Sequence, residues 1–144
     1  MCLRGGMVKI AFVCVENAGR SVMAAAFARA WAPQGVEILS GGTLPAESVN
    51  PTVVEAMREV GIDVSRERPR RVGPADLTDC DVVVTMGCAA GDVCPARFRG
   101  DARDWVLPDP KGRPIEEVRR IRDEIERRVR DLLRAMAPAA KRRM

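Results

Sequence analysis

The sequence predicts a single α/β domain built on a parallel sheet, and three observations carry that prediction. Short apolar runs alternate with stretches whose apolar residues recur at helical spacing, the order of a strand-helix repeat. The runs Val8 to Val13 and Asp81 to Met86 are apolar at nearly every position, as strands buried on both faces are. At 144 residues the chain is sized for one domain with a proper core.

Each element has its own local warrant. Val8 to Val13 lies between glycines and a small-residue loop. Ser21 to Trp31 is alanine-rich, with Met23, Phe27 and Trp31 at four-residue steps along one helical face. Val36 to Leu39 is a second short strand running into Ser40-Gly41-Gly42-Thr43. Asn50-Pro51 offers an N-cap followed by proline at the first helical position, and Val53, Val54, Met57 and Val60 continue at helical spacing until Gly61 stops the helix. A weaker strand is expected at Trp105 to Leu107, ahead of Pro108-Asp109-Pro110. Ile115, Val118, Ile121, Ile125, Val129, Leu132, Leu133 and Met136 form one stripe of a long C-terminal helix. No internal repeat is present. The domain is expected to occupy residues 7–138, with 1–6 a leader ahead of Met7 and 139–144 a basic tail, both disordered.

Composition narrows the function. The net charge is +4, but Arg alternates with Glu and Asp along the C-terminal stripe, which reads as a solvated helix face. Aromatic residues make up 3% and Tyr is absent, leaving little to stack on bases, so no nucleic-acid role is expected. Charges or prolines interrupt every apolar run, so neither a membrane span nor a signal peptide is expected, and the protein reads as cytoplasmic. Five cysteines in that compartment argue against a disulfide framework. With no histidine, and with Cys88 and Cys94 spaced too widely for a zinc knuckle, no metal site is expected.

Ligands of parallel α/β sheets bind beyond the carboxyl ends of the strands. Cys14, Cys88 and Asp109 each follow an expected strand, so all three are expected at one edge. Around Cys14 the sequence runs Val15, Glu16, Asn17, Ala18, Gly19, Arg20, Ser21. A cysteine is a nucleophile only as thiolate, and loop amides ahead of a helix N-terminus favour negative charge. Arg20 adds a fixed positive charge with two parallel donors for an oxyanion. Ser21 can donate to the sulfur, and Asn17 tolerates a left-handed backbone and can lock the loop through its amide. Asp109 can protonate a leaving oxygen. Structural readings compete with these: a buried strand-end cysteine, a turn aspartate before proline, and, for Cys88 and Cys94, two incidental cysteines in a surface loop.

The stretch Cys14 to Ser21 resembles the anion loop of the low-molecular-weight tyrosine phosphatase superfamily. Ser40-Gly41-Gly42-Thr43, the stretch Val54 to Met57 through Gly61 to Ser65, and Asp109-Pro110 are similar as well, so the resemblance covers nearly the whole chain from Met7. It implies a flavodoxin-like three-layer sandwich, a four-stranded parallel sheet with helices on both faces. Val84-Thr85-Met86-Gly87-Cys88 through Cys94-Pro95 resembles the redox loop of the superfamily's thioredoxin-coupled arsenate reductases, which its tyrosine phosphatases lack. The absence of Tyr agrees, since a phosphotyrosine pocket wants an aromatic wall.

That resemblance implies a relay. Cys14 attacks arsenate cradled by the loop and Arg20 while Asp109 protonates the departing oxygen. Cys88 then attacks Cys14 and expels arsenite, Cys94 displaces Cys14, and thioredoxin reduces the Cys88–Cys94 disulfide. No bound cofactor is expected, and phosphate is expected to compete. The chain departs from the family in having five residues rather than the frequent six between Cys88 and Cys94. Ala25 stands where some members place an acidic residue that supports a potassium site, so none is expected. A glutaredoxin or mycothiol system remains an alternative donor. A phosphatase working through a Cys14 phosphocysteine, and a thiol sensor of arsenite, remain alternative functions. Cys2 and Cys80 receive no role.

Overall fold

Seven consecutive strand residues, Val8–Cys14, form β1, the strand around which the sheet is assembled. The computed structural model describes residues 8–87 and 100–142, with side chains to Met136. After β1 come α1 (Arg20–Trp31), β2 (Val36–Gly42), α2 (Pro51–Glu59), a single turn α3 (Pro74–Leu77), β3 (Val82–Met86), β4 (Asp101–Asp104) and the long α4 (Ile115–Arg142). Every strand pairing is parallel and the order is β2-β1-β3-β4, so β1 and β3 are central. Cys14 is aligned with Gly42 on one side and Met86 on the other. The carboxyl ends of β1, β2 and β3 therefore share one edge.

Burial on both faces explains the unbroken apolar character of β1. Val8, Ile10, Phe12 and Cys14 enter a large core with α1, α2 and α4, while Ala11 and Val13 enter a smaller one with Val72, Leu77, Cys80 and Val83. The result is three layers with the sheet in the middle, the flavodoxin-like architecture expected from the sequence. The C-terminal stripe packs as its spacing implies: Val118, Ile121, Ile125, Val129, Leu132 and Leu133 are buried, with Ile115 and Met136 at the ends partly so. Met23 and Phe27 of α1 are fully buried. Trp31, further along, stacks on Phe27 at 5.0 Å and is covered by the Arg130 guanidinium at 3.9 Å, which ties α1 to α4.

Caps set the helix ends. Asn50 accepts from the Thr52 N–H at 2.9 Å ahead of Pro51, and α2 closes with Gly61 N–H donating to Arg58 O and Ile62 N–H to Met57 O, a Schellman arrangement. Three expectations need correction. The fourth strand is Asp101–Asp104, not Trp105 to Leu107. It is an edge strand whose backbone supplies the pairing while three of its four side chains are charged, so apolar content points past it. Trp105 and Leu107 instead follow the strand into the core. β2 runs on through the glycines to Gly42, and α4 continues to Arg142, into the segment expected as a tail. Neither the α3 turn nor its cover of the smaller core was expected. The leader 1–6, with Cys2, lies outside the described residues.

An ionic cluster fastens α2 to α4. Glu59 accepts from Arg119 at 2.7 Å and from Arg122 at 2.9 Å, and Arg122, itself buried, also donates to the Ala56 carbonyl at 2.9 Å. The Arg119 hydrogen bonds, then those of Arg122, pull the Glu59 carboxyl from 4.5 down to about 2. A carboxyl depressed on folding stabilises the fold above its unfolded value, and that contribution fades as the pH falls. Glu59→Gln should therefore lower the urea midpoint at neutral pH, and its deficit against the wild type should shrink between pH 4.5 and about 2. Urea titrations of both proteins across that range measure this.

Candidate active site

β1 delivers Cys14 to the carboxyl edge of the sheet and α1 begins at Arg20, so the connection is the loop 15–19. The carbonyls of Cys14, Val15, Glu16 and Ala18 accept from the N–H groups of Thr43, Leu44, Ala46 and Asn50, on the segment that leaves β2. Every described peptide bond is trans, and in a trans peptide the N–H of the next residue points away from the carbonyl. The amides of Val15, Glu16, Asn17 and Gly19 therefore face the opposite side. Asn17 shows which side that is, because its N–H donates to Cys14 Sγ at 3.2 Å. The free N–H groups of the first turn of α1 continue the same surface, with its first helical hydrogen bond running from Met23 N–H to Gly19 O.

The side chains complete the setting of the sulfur. Asn17 has φ of 52°, the left-handed region that asparagine tolerates. Its Oδ1 accepts from the Arg70 N–H at 3.0 Å, which fixes the amide orientation. Its Nδ2 then donates to Ser21 Oγ at 2.7 Å and to Ser40 Oγ at 2.8 Å. Since Ser21 Oγ accepts from Asn17, its own proton is available for Cys14 Sγ, 2.9 Å away. Two donors thus converge on the sulfur of Cys14, a residue that is 3% exposed.

Arg20 is 8% exposed, and its Nη1 donates to the Leu107 carbonyl at 3.0 Å. Gly87, the first residue after β3, lies flat against this guanidinium: a Cβ there would sit 2.6 Å from Nη1, and its φ of 87° is itself a glycine conformation. The chain thus enters the 88–99 segment beside the site's arginine. Asp109 stands on the opposite rim, with Oδ2 3.6 Å from Arg20 Nη2 and Oδ1 accepting from the Lys111 N–H at 3.0 Å. The following Pro110 packs on Gly19 so closely that a Cβ on Gly19 would meet it at 2.7 Å. Lys111 reaches back across to the loop, pairing with Glu16 at 3.0 Å, and that hydrogen bond raises its ammonium above the usual lysine range.

Cys14, Arg20 and Asp109 therefore line one cleft of about 280 Å³ together with loop residues Glu16, Ala18 and Gly19. The far wall comes from Ala46, Ser48, Val49, Asn50 and Pro51, with no aromatic side chain among the described lining residues. Cys88 and Cys94 lie outside the described residues. Ser40, Gly87, Leu107 and Lys111 were not singled out as parts of the site; Gly87 carried a signal, a glycine directly behind a strand at the ligand edge. Cys80 is buried in the smaller core, away from this edge. Among the described residues no group of three or more His, Cys, Asp or Glu side chains gathers to hold a metal. Nor is any described helix long and apolar enough to cross a membrane.

The profile of the family described as low molecular weight phosphotyrosine protein phosphatase matches residues 9–142. A protein of Halobacterium salinarum named "Putative arsenate reductase" is 48% identical over 135 residues, covering 90% of this chain and 94% of that one. The thioredoxin-dependent arsenate reductase of Corynebacterium glutamicum aligns with a TM-score of 0.75 at 35% identity, over 90% of this chain but 62% of that longer one. A solved arsenate reductase in the phosphate binding state aligns with a TM-score of 0.79 at 32% identity, over 91% of this chain and 100% of the other. With a family profile spanning the strand that carries Cys14 through to the last helix, the chain belongs to the low-molecular-weight phosphotyrosine protein phosphatase family.

Proposed function

We propose that this protein is an arsenate reductase, with Cys14, Arg20 and Asp109 as its oxyanion chemistry and Cys88 and Cys94 as its redox relay. The observation that carries the reading is the convergence of a hydrogen-bonded sulfur, inward-facing loop amides, a buried arginine and a carboxyl group on one small cleft. The arsenate reductases among its relatives and structural neighbours support the choice of substrate. The described lining residues, none of them aromatic, suit a free tetrahedral oxyanion better than an aryl ester.

In the first step the Cys14 thiolate attacks arsenic(V), and one oxygen leaves as water with a proton from Asp109. The loop amides and Arg20 hold the remaining oxygens and stabilise the charge that develops on them. Cys88 thiolate then attacks Cys14 Sγ. The Cys14–Cys88 disulfide forms and arsenic departs with the electron pair of the broken S–As bond, as arsenite. Cys94 thiolate attacks Cys88, releases Cys14 as thiolate and leaves Cys88–Cys94. A dithiol donor, which we assign to thioredoxin, returns that disulfide to two thiols. Such a cycle suits the cytoplasm, where thiols are kept reduced. The approach of Gly87 to Arg20 supports this order, because the residue that follows Gly87 in the chain is Cys88.

Mixing fully reduced protein with excess arsenate, removing it and mapping thiols by mass spectrometry tests the relay. Two thiols should disappear, with Cys88 and Cys94 linked. Cys94→Ser should release one arsenite and stall as a Cys14–Cys88 disulfide, and Cys88→Ser should release none. If every thiol survives arsenate while the protein hydrolyses an aryl phosphate, the chain works as a phosphatase instead. The serine has its own test. Ser21→Ala removes one of two hydrogen bonds to the sulfur, and a bond to a charged group is worth enough to slow alkylation of Cys14 by iodoacetamide at neutral pH about ten-fold. Timed alkylation of both proteins reads this directly.

A further inference from the structure

One side chain of the anion loop is out of place: Glu16 sets a carboxylate among amides and an arginine arranged for a dianion. Its backbone serves the loop, since the Glu16 carbonyl accepts from Ala46 and its N–H faces the sulfur side. Glu16 is among the residues that line the cleft, and its carboxylate charge opposes an anionic ligand there. The only described cation paired with it is Lys111, at 3.0 Å, from the turn that also carries Asp109. Lys111 lines the cleft too, and its N–H holds Asp109 Oδ1.

We propose that Glu16 is an affinity-setting residue that lowers the grip of the site on tetrahedral dianions by holding the Lys111 ammonium in an ion pair at the rim. The inference rests on the oxyanion-site reading above. Phosphate and arsenate carry the same charge and nearly the same shape, so a loop built for maximal grip would be filled by either. What separates them is chemistry, because only arsenic(V) accepts an electron pair from the thiol relay. Holding both weakly keeps the cleft from being occupied permanently by whichever anion is in excess. With Glu16 in place, Lys111 is neutralised and the cleft keeps Arg20 as its working cation. Without Glu16, the ammonium is free to reach the bound anion.

The sign of each substitution follows. Glu16→Gln removes a repulsive charge and frees Lys111, so inorganic phosphate binds more tightly. Lys111→Met leaves Glu16 unpaired, so phosphate binds more weakly. The pair is largely exposed, which sets the scale of each change at about three- to five-fold at low salt, shrinking as salt screens it. The double variant has the wild-type net charge at the rim and returns close to wild-type affinity, because the two opposite changes sum to nothing, whereas loss of structure would weaken binding in whichever variant suffered it.

Calorimetric titration of reduced wild-type protein and the three variants with inorganic phosphate, at low and at high ionic strength, is the test. Opposite changes in the two single variants, cancelling in the double and fading with salt, bear the inference out. An unchanged or weakened Kd in Glu16→Gln overturns it while leaving the oxyanion site standing. Absence of phosphate binding in the wild-type protein itself would sink the oxyanion-site reading, and the inference with it.

Discussion

The row of hydrogen bonds from the 43–50 segment to the carbonyls of the loop 14–18 is the constraint from which the site follows. A short loop has two faces, one of carbonyls and one of amides, and only one can meet an anion. By engaging the carbonyls of Cys14, Val15, Glu16 and Ala18, the segment that leaves β2 turns the amides toward the sulfur before any ligand arrives. Orientation is thus decided by backbone pairing and needs no particular side chain at 15, 16 or 18. The loop residues need only be compatible with the curvature, and Asn17, the one with a positive φ, absorbs the tightest bend.

The sheet makes that pairing possible. Parallel neighbours place the ends of β1, β2 and β3 side by side, so the exits from β1 and β2 run next to each other and can bond. Burial of β1 on both faces holds it in register, since a slip by one residue would exchange the contents of the two cores. The ionic attachment of α2 to α4 contributes from a distance. α2 follows Asn50, whose N–H is itself one of the donors to the loop, so anchoring α2 anchors part of the loop's scaffold.

How much of this was readable beforehand depended on range. The strand-loop-helix around Cys14 was legible because its information is local: an apolar run, small residues, then helical spacing. The α4 stripe was legible for the same reason, with eight apolar positions in one periodic pattern. β4 was misplaced because an edge strand needs no apolar side chains, so Asp101–Asp104 carried no signal while Trp105 carried a false one. The contacts that orient the site join residues far apart in sequence. Asn17 reaches Arg70, Arg20 reaches Leu107, and Lys111 reaches Glu16. No periodicity announces such pairs, and the donor direction at Ser21 can be assigned only once all the partners of Asn17 are known.

Asn17 is also the position at which the smallest change of atom would be felt most. Its one amide group serves three partners with opposite demands: an oxygen facing the Arg70 N–H, and a nitrogen facing two serine hydroxyls. Hydrolysis of that amide changes a single heavy atom and barely alters the shape. Yet it replaces both nitrogen-bound donors with an acceptor, releases the constraint on the Ser21 proton, and lodges a new negative charge behind a loop that exists to receive one. A protein damaged in this way would keep its fold, its mass to within one unit and all its thiols. The setting of the sulfur therefore depends on the identity of one side-chain nitrogen as well as on the fold that holds it.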